Sequence, residues 1–141
     1  MKLASFAVDT PVGRARRVGV RVEDEGLVDV TSAYGAHLAA KGVAAADELA
    51  VATAPPEMVA FLERGDRALE AAREAREYAL STDETTGPDG GRLVFALNEV
   101  DLLSPVPRPT SLRDCMVFEE HVRNILGEEI PDVWYDRPIY G

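Results

Sequence analysis

Two side chains in the C-terminal third have the types and spacing to share chemistry. The stretch Ser111–Leu126, SLRDCMVFEEHVRNIL, places Asp114 and His121 seven residues apart. Read as a helix, that interval turns through about 700°, so both side chains project from nearly one face, roughly 10 Å apart along the axis. They do not touch at that distance, but both can reach into one cleft holding a metal ion or substrate. An imidazole suits general-base work because it titrates near neutrality. A carboxylate suits a hard cation such as Mg²⁺ or Ca²⁺. The same spacing also fits a structural histidine on a helix flank, and both readings stand on spacing alone.

The same periodicity puts Cys115, Phe118, Val122 and Ile125 on one apolar stripe, with Gly127 as the stop. Cys115 therefore reads as a small core residue, not a nucleophile. Glu119 and Glu120 read as solvated. His37 lies in an alanine-rich patch with no acidic neighbour in sequence and reads as structural.

The elements that must position these residues begin with β-structure. Leu3–Val8 is a short apolar run closed by Asp9-Thr10-Pro11 and Gly13. Val18, Val20 and Val22 alternate with Gly19 and Arg21, the period of a half-buried strand. Asp24-Glu25-Gly26 signals a tight turn into Leu27–Val30. Helices follow: one capped by Thr31 or Ser32 and ending near Gly42, one after Pro55-Pro56, and one from Asp66 to about Leu80. The last has an alanine stripe (Ala68, Ala72, Ala75, Ala79), and its Arg67, Glu70, Arg73, Glu74, Arg76 and Glu77 read as a solvated face. Ser81–Gly91 is a polar loop without a core of its own. Arg92–Leu97 and Val100–Leu103 are extended. Pro105-Val106-Pro107-Arg108-Pro109 must be extended too, and reads as a connector in preference to a polyproline ligand.

The expected fold class is α+β. A small twisted N-terminal sheet or partial barrel with helices occupies residues 1–104. Residues 105–141 begin with the proline connector and read as the start of a second structural unit.

Composition limits the partners. The 141 residues carry 15 Lys plus Arg against 25 Asp plus Glu, a formal net charge of −10. Such a field repels phosphate backbones and anionic lipid, so neither nucleic acid nor a membrane surface is an expected partner. A small anionic substrate would need a local positive group or a divalent cation. The single cysteine excludes an internal disulfide and a multi-cysteine zinc site. No run approaches the ~20 apolar residues of a membrane span, and MKLASFAVDT is not a signal peptide, so the expected compartment is the cytoplasm.

Order and spacing then point to a family. Leu102-Leu103-Ser104-Pro105-Val106-Pro107-Arg108-Pro109, Leu112-Arg113-Asp114 and Phe118-Glu119-Glu120-His121-Val122 together resemble the fumarylacetoacetate hydrolase family. Pro131-Asp132-Val133-Trp134-Tyr135-Asp136-Arg137-Pro138-Ile139-Tyr140 is similar to the family's next segment. The N-terminal hairpins and Phe61-Leu62-Glu63-Arg64-Gly65 are similar to its N-terminal region.

The resemblance implies a metal-dependent hydrolase that cleaves carbon–carbon bonds of diketo and oxo acids. His121 would be the general base that activates water, Asp114 a ligand of Mg²⁺ (or Ca²⁺ or Mn²⁺), and Tyr140 a substrate-side residue. Relatives isomerise or decarboxylate similar 2-oxo acids, and the full-length form would be a homodimer.

The chain departs from the pattern in three places. The resemblance implies a larger β-rich C-terminal domain, of which residues 105–141 would be only the connector and first segment. It also implies a strand continuing past Pro138, where here Tyr140 is followed by Gly141 alone. No Glu-x-Glu pair follows His121, and Asn124 stands where some members orient the histidine with a glutamate. The expectation is therefore a truncated chain, inactive alone, whose residues after about Pro109 leave apolar side chains uncovered. The alternative is a non-catalytic acidic α+β module that binds a partner.

Overall fold

The computed structural model describes residues 1–11, 13–22, 26–127 and 129–137. The chain divides into two compact units, Met1–Arg108 and Pro109–Gly141. The first unit is an α+β fold with a curled five-strand antiparallel half-barrel sheet. Its strands are β1 (Leu3–Thr10), β2 (Gly13–Val22), β3 (Gly26–Asp29), β4 (Val94–Ala96) and β5 (Asp101–Leu102), in the order β4-β3-β2-β1-β5. The Asp24-Glu25 part of the expected turn lies outside the described residues; Gly26 opens β3.

Side-chain alternation gives the sheet two different faces. Val18, Val20, Val22 and Val28 point to one face, and helices cover it. The helices of this unit are α1 (Val30–Ala40), α2 (Ala46–Thr53), α3 (Met58–Glu63) and α4 (Asp66–Ser81). Ala68, Ala71, Ala72 and Ala75 of α4 are buried in this core with Ala33 and Ala36 of α1, because small side chains let helices and sheet approach closely. Phe6, Leu27 and Phe95 form a second cluster from the opposite parity of β1, β3 and β4. Phe6 and Phe95 pack with ring centroids 5.7 Å apart. Gly19 makes room for that packing: a Cβ there would lie 2.9 Å from Phe6 Cε1.

Several helix boundaries differ from expectation. α1 begins at Val30, and its cap is Asp29, whose carboxylate accepts from the Ser32 N–H. Thr31 is already helical, and its hydroxyl donates to the Ala54 carbonyl at 2.7 Å, tying α1 to the end of α2. α2 carries no capping side chain; its N-cap is Ala45 with φ 51°, so the usual start signal is absent. α3 starts after Glu57, which accepts from the Ala60 N–H at 3.0 Å.

The polar loop before β4 is not free-standing. Asp89 accepts from the Ser32 hydroxyl at 3.2 Å and from the Gly91 N–H at 3.0 Å, which seats the loop on the first turn of α1. Two glycines permit the approach: a Cβ on Gly87 would lie 2.6 Å from the Ser32 carbonyl oxygen, and one on Gly91 2.4 Å from its hydroxyl.

In the second unit the single long helix expected over Ser111–Leu126 is not formed. Helix α5 spans only Glu119–Leu126, and Phe118 before it is extended, with φ −101° and ψ 109°. Val117 and Phe118 lose side-chain freedom in a helix, whereas Glu119 and Glu120 are favoured at the positive end of one, so the helix starts there. Cys115 is consequently exposed and not a core residue. Leu112, Met116, Val117, Phe118 and Ile125 are exposed as well, while Val122 is buried. The short helix α6 covers Val133–Asp136. Among the described residues no helix is long and apolar enough to cross a membrane.

The loop's seat on α1 has a direct test. Gly87→Ala should destabilise the first unit by about 1–3 kcal/mol, because the new methyl group meets backbone that cannot swing away. Thermal unfolding followed by circular dichroism measures it, and an unchanged midpoint would disprove the close contact.

Candidate functional site

The residues singled out for chemistry lie in the second unit. Asp114 sits in the non-helical stretch before α5, and His121 is the third residue of α5; both are exposed. They do not share a helix face, so the two-turn geometry expected from their spacing does not apply. Tyr140 lies outside the described residues.

The first turn of α5 is occupied by an ion pair. Arg123 Nη2 donates to Glu119 Oε1 at 2.5 Å, the i, i+4 arrangement. The Tyr135 phenol is pushed up from its ordinary range, first by desolvation and then by its hydrogen bond to Glu119. Its ring meets Trp134 edge-on, with centroids 4.9 Å apart and planes at 85°. A cleft of about 350 Å³ lies between Cys115-Met116-Val117 and Trp134–Arg137. Neither Asp114 nor His121 is in its lining.

A divalent cation needs more than this. Mg²⁺ takes octahedral coordination from several oxygens, and Asp114 with His121 offers one carboxylate and one imidazole. Among the described residues no group of three His, Cys, Asp or Glu side chains could hold a metal ion. The residues present therefore do not fit a complete Mg²⁺ site.

The first unit holds a polar cluster that sequence reading passed over. Asp29 ends β3 and caps α1, with its side chain only 2% exposed. Arg17 reaches it from the neighbouring strand: Gly19 is the register partner of Asp29, and Arg17 lies two residues along on the same face. Arg17 Nε stands 3.3 Å from Asp29 Oδ2, at an angle that makes an ion pair but no hydrogen bond.

Burial outweighs the attraction to Arg17 and the Ser32 N–H, so the Asp29 carboxyl is pushed up to about 6. Asp89 adds repulsion in the same direction. Together Arg17, Asp29, Asp89, Arg92 and Phe95 line part of a cleft of about 480 Å³. Arg92 lies 4.7 Å over the Phe95 ring and makes two hydrogen bonds to Glu99, which hold the Glu99 carboxyl below its usual range.

The histidine read as structural, with no acidic neighbour in sequence, has a carboxylate beside it from a distant segment. His37 Nε2 of α1 lies 3.1 Å from Glu74 Oε2 of α4, and Lys41 reaches the same oxygen at 3.6 Å. Tyr78 packs on the imidazole with ring centroids 5.3 Å apart. Only tertiary structure brings Glu74 here. The Asp29 cluster did leave one signal, an Asp immediately before a helix-forming run, which is a capping pattern.

No protein-family model matches this chain, and no curated protein matches it.

The pH response of Asp29 follows from the direction of its shift. A carboxyl raised in the folded state binds its proton more tightly there than in the unfolded chain. Its contribution to stability is therefore fully present below pH 3.8 and is lost as pH rises through about 6. Relative to Asp29→Asn, the wild-type chain should gain stability between pH 7 and pH 4, on the order of 2–3 kcal/mol. Urea unfolding of both proteins across that range checks this. Parallel curves would show that Asp29 titrates normally.

Proposed function

We propose that this chain belongs to a metal-dependent hydrolase that cleaves carbon–carbon bonds of diketo or oxo acids. The observation that carries the reading is the ordered set of segments from Leu102 to Val122, with Pro131–Tyr140 following, in the pattern of the fumarylacetoacetate hydrolase family. Two features of the molecule support it. His121 is solvent-exposed at the start of α5, where a water molecule can reach its imidazole. The apolar side chains around it, Phe118, Val117 and Ile125, are uncovered, as a surface that packs on further protein would leave them.

In this reading His121 accepts a proton from water as the water oxygen adds to a substrate carbonyl. The tetrahedral adduct then breaks its carbon–carbon bond, and the electron pair leaves on the enolate carbon. The imidazolium returns its proton to that carbon. Asp114 would serve as one oxygen ligand of Mg²⁺ (or Ca²⁺ or Mn²⁺), which would supply Lewis acidity when bound. A small anionic oxo acid is the substrate class, and the working form is a cytoplasmic homodimer.

The test is acylpyruvate cleavage by the product of the whole reading frame that contains this chain, with and without Mg²⁺. His121→Ala should lower kcat by at least about a hundredfold, the scale of a lost general base. Asp114→Ala should raise the Mg²⁺ concentration needed for half-maximal rate. Cleavage that persists undiminished in His121→Ala would overturn the assignment. Isomerisation or decarboxylation of a 2-oxo acid, lost with His121→Ala, would move the protein to the family's other reactions. Stoichiometric binding of a protein partner without turnover of any oxo acid would leave a non-catalytic module.

A further inference from the structure

The charge of the first unit is not spread evenly. Lys2 precedes β1, Arg21 lies near the end of β2, and Arg73 and Arg76 stand three residues apart on α4. These four cations line one cleft of about 680 Å³, together with Met1, Val22 and a single carboxylate, Glu77. The cleft is thus net positive by three charges in a chain whose formal charge is −10. Its volume is that of a small-molecule site.

Pairing sharpens the contrast. Arg73 donates to Glu70 at 2.6 Å. Lys2, Arg21 and Arg76 have no side-chain ion pair or hydrogen bond among the described residues, although the chain has 25 carboxylates. Four cations elsewhere in this unit do find carboxylates, Arg14 with Asp101, Arg17 with Asp29, Lys41 with Glu74 and Arg92 with Glu99, so what sets the cleft apart is that its cations gather on one volume. Like charges held close together repel, and an anion between them removes that penalty.

The N-terminal segment, β2 and α4 each contribute to the cleft, so its cations do not merely line a strip of helix. Arginine predominates, and the planar guanidinium fork matches the oxygens of phosphoryl and carboxylate groups. The surrounding acidic surface repels anions at long range, so only a compact anion with several charges gains enough at contact.

We propose that this cleft is a binding site for a compact, multiply charged oxyanion, held by Lys2, Arg21, Arg73 and Arg76. Phosphoryl and carboxylate compounds share that chemistry. The site is built within the first unit and does not depend on the reaction assigned to His121.

Isothermal titration of the full chain with pyrophosphate and, separately, with citrate tests it. At an ionic strength of about 50 mM, pyrophosphate should bind saturably at one per chain, and added salt should weaken it. The double variant Arg21→Gln/Arg76→Gln should bind at least about tenfold more weakly, the effect of losing charge-assisted hydrogen bonds. Arg67→Gln, on the same helix but outside the cleft, should bind as the wild type does. Equal thermal midpoints confirm that the variants fold.

Binding of pyrophosphate alone assigns a phosphoryl ligand, and binding of citrate alone assigns a polycarboxylate. Binding of both leaves the oxyanion class as stated. No saturable heat with either probe up to about 10 mM, or equal binding by the double variant, overturns the proposal.

Discussion

A buried carboxylate at the junction of strand and helix organises the first unit. Asp29 ends β3, caps α1 and accepts from the Ser32 N–H. Its position on the sheet brings Arg17 alongside, and Ser32, on the turn it caps, holds Asp89 of the 87–91 loop. Sheet, helix and loop therefore meet at Asp29 and Ser32, which are both buried. An ionised group there loses hydration that one arginine does not fully replace, and the raised carboxyl of Asp29 is the sign of that imbalance. Removing Arg17 would leave the Asp29 carboxylate buried without its counter-charge.

Around this point the sheet works with two unlike faces. The valine ridge of β2 and β3 is covered by alanine-rich helices, which pack closely because they present almost no side-chain bulk. The other face has three large side chains and depends on Gly19 to admit Phe6. The second unit follows different rules. Its helices are short, and most of its large apolar residues are open to solvent, so little burial holds it together.

Electrostatics adds a second division. Arg14, Arg17, Lys41 and Arg92 each answer a specific carboxylate, whereas one cleft gathers four cations of which only Arg73 has an ion pair. An acidic chain can approach anions only where it concentrates its few positive charges. On the solvated face of α4, Arg73 and Arg76 read as ordinary surface residues in sequence. Their neighbours from the N-terminal segment and β2 give them a different setting.

The sequence by itself determined the elements whose signals are local. Alternation of Val18, Val20 and Val22 set a strand and its buried face, and the alanine stripe with Gly65 and Asp66 set α4 within a residue or two. The α+β class follows from those periods. Tertiary structure alone decided where competing signals were resolved by partners far along the chain. Helix α2 has no cap to announce it. Ser111–Phe118 has helical periodicity but does not form a helix, since an amphipathic pattern stabilises one only when its apolar face is covered, and Leu112 and Phe118 are exposed. The Arg17–Asp29, His37–Glu74 and Lys2–Arg21–Arg76 groupings join residues from different strands and helices. Such contacts depend on register and packing, which no local pattern of residue types encodes.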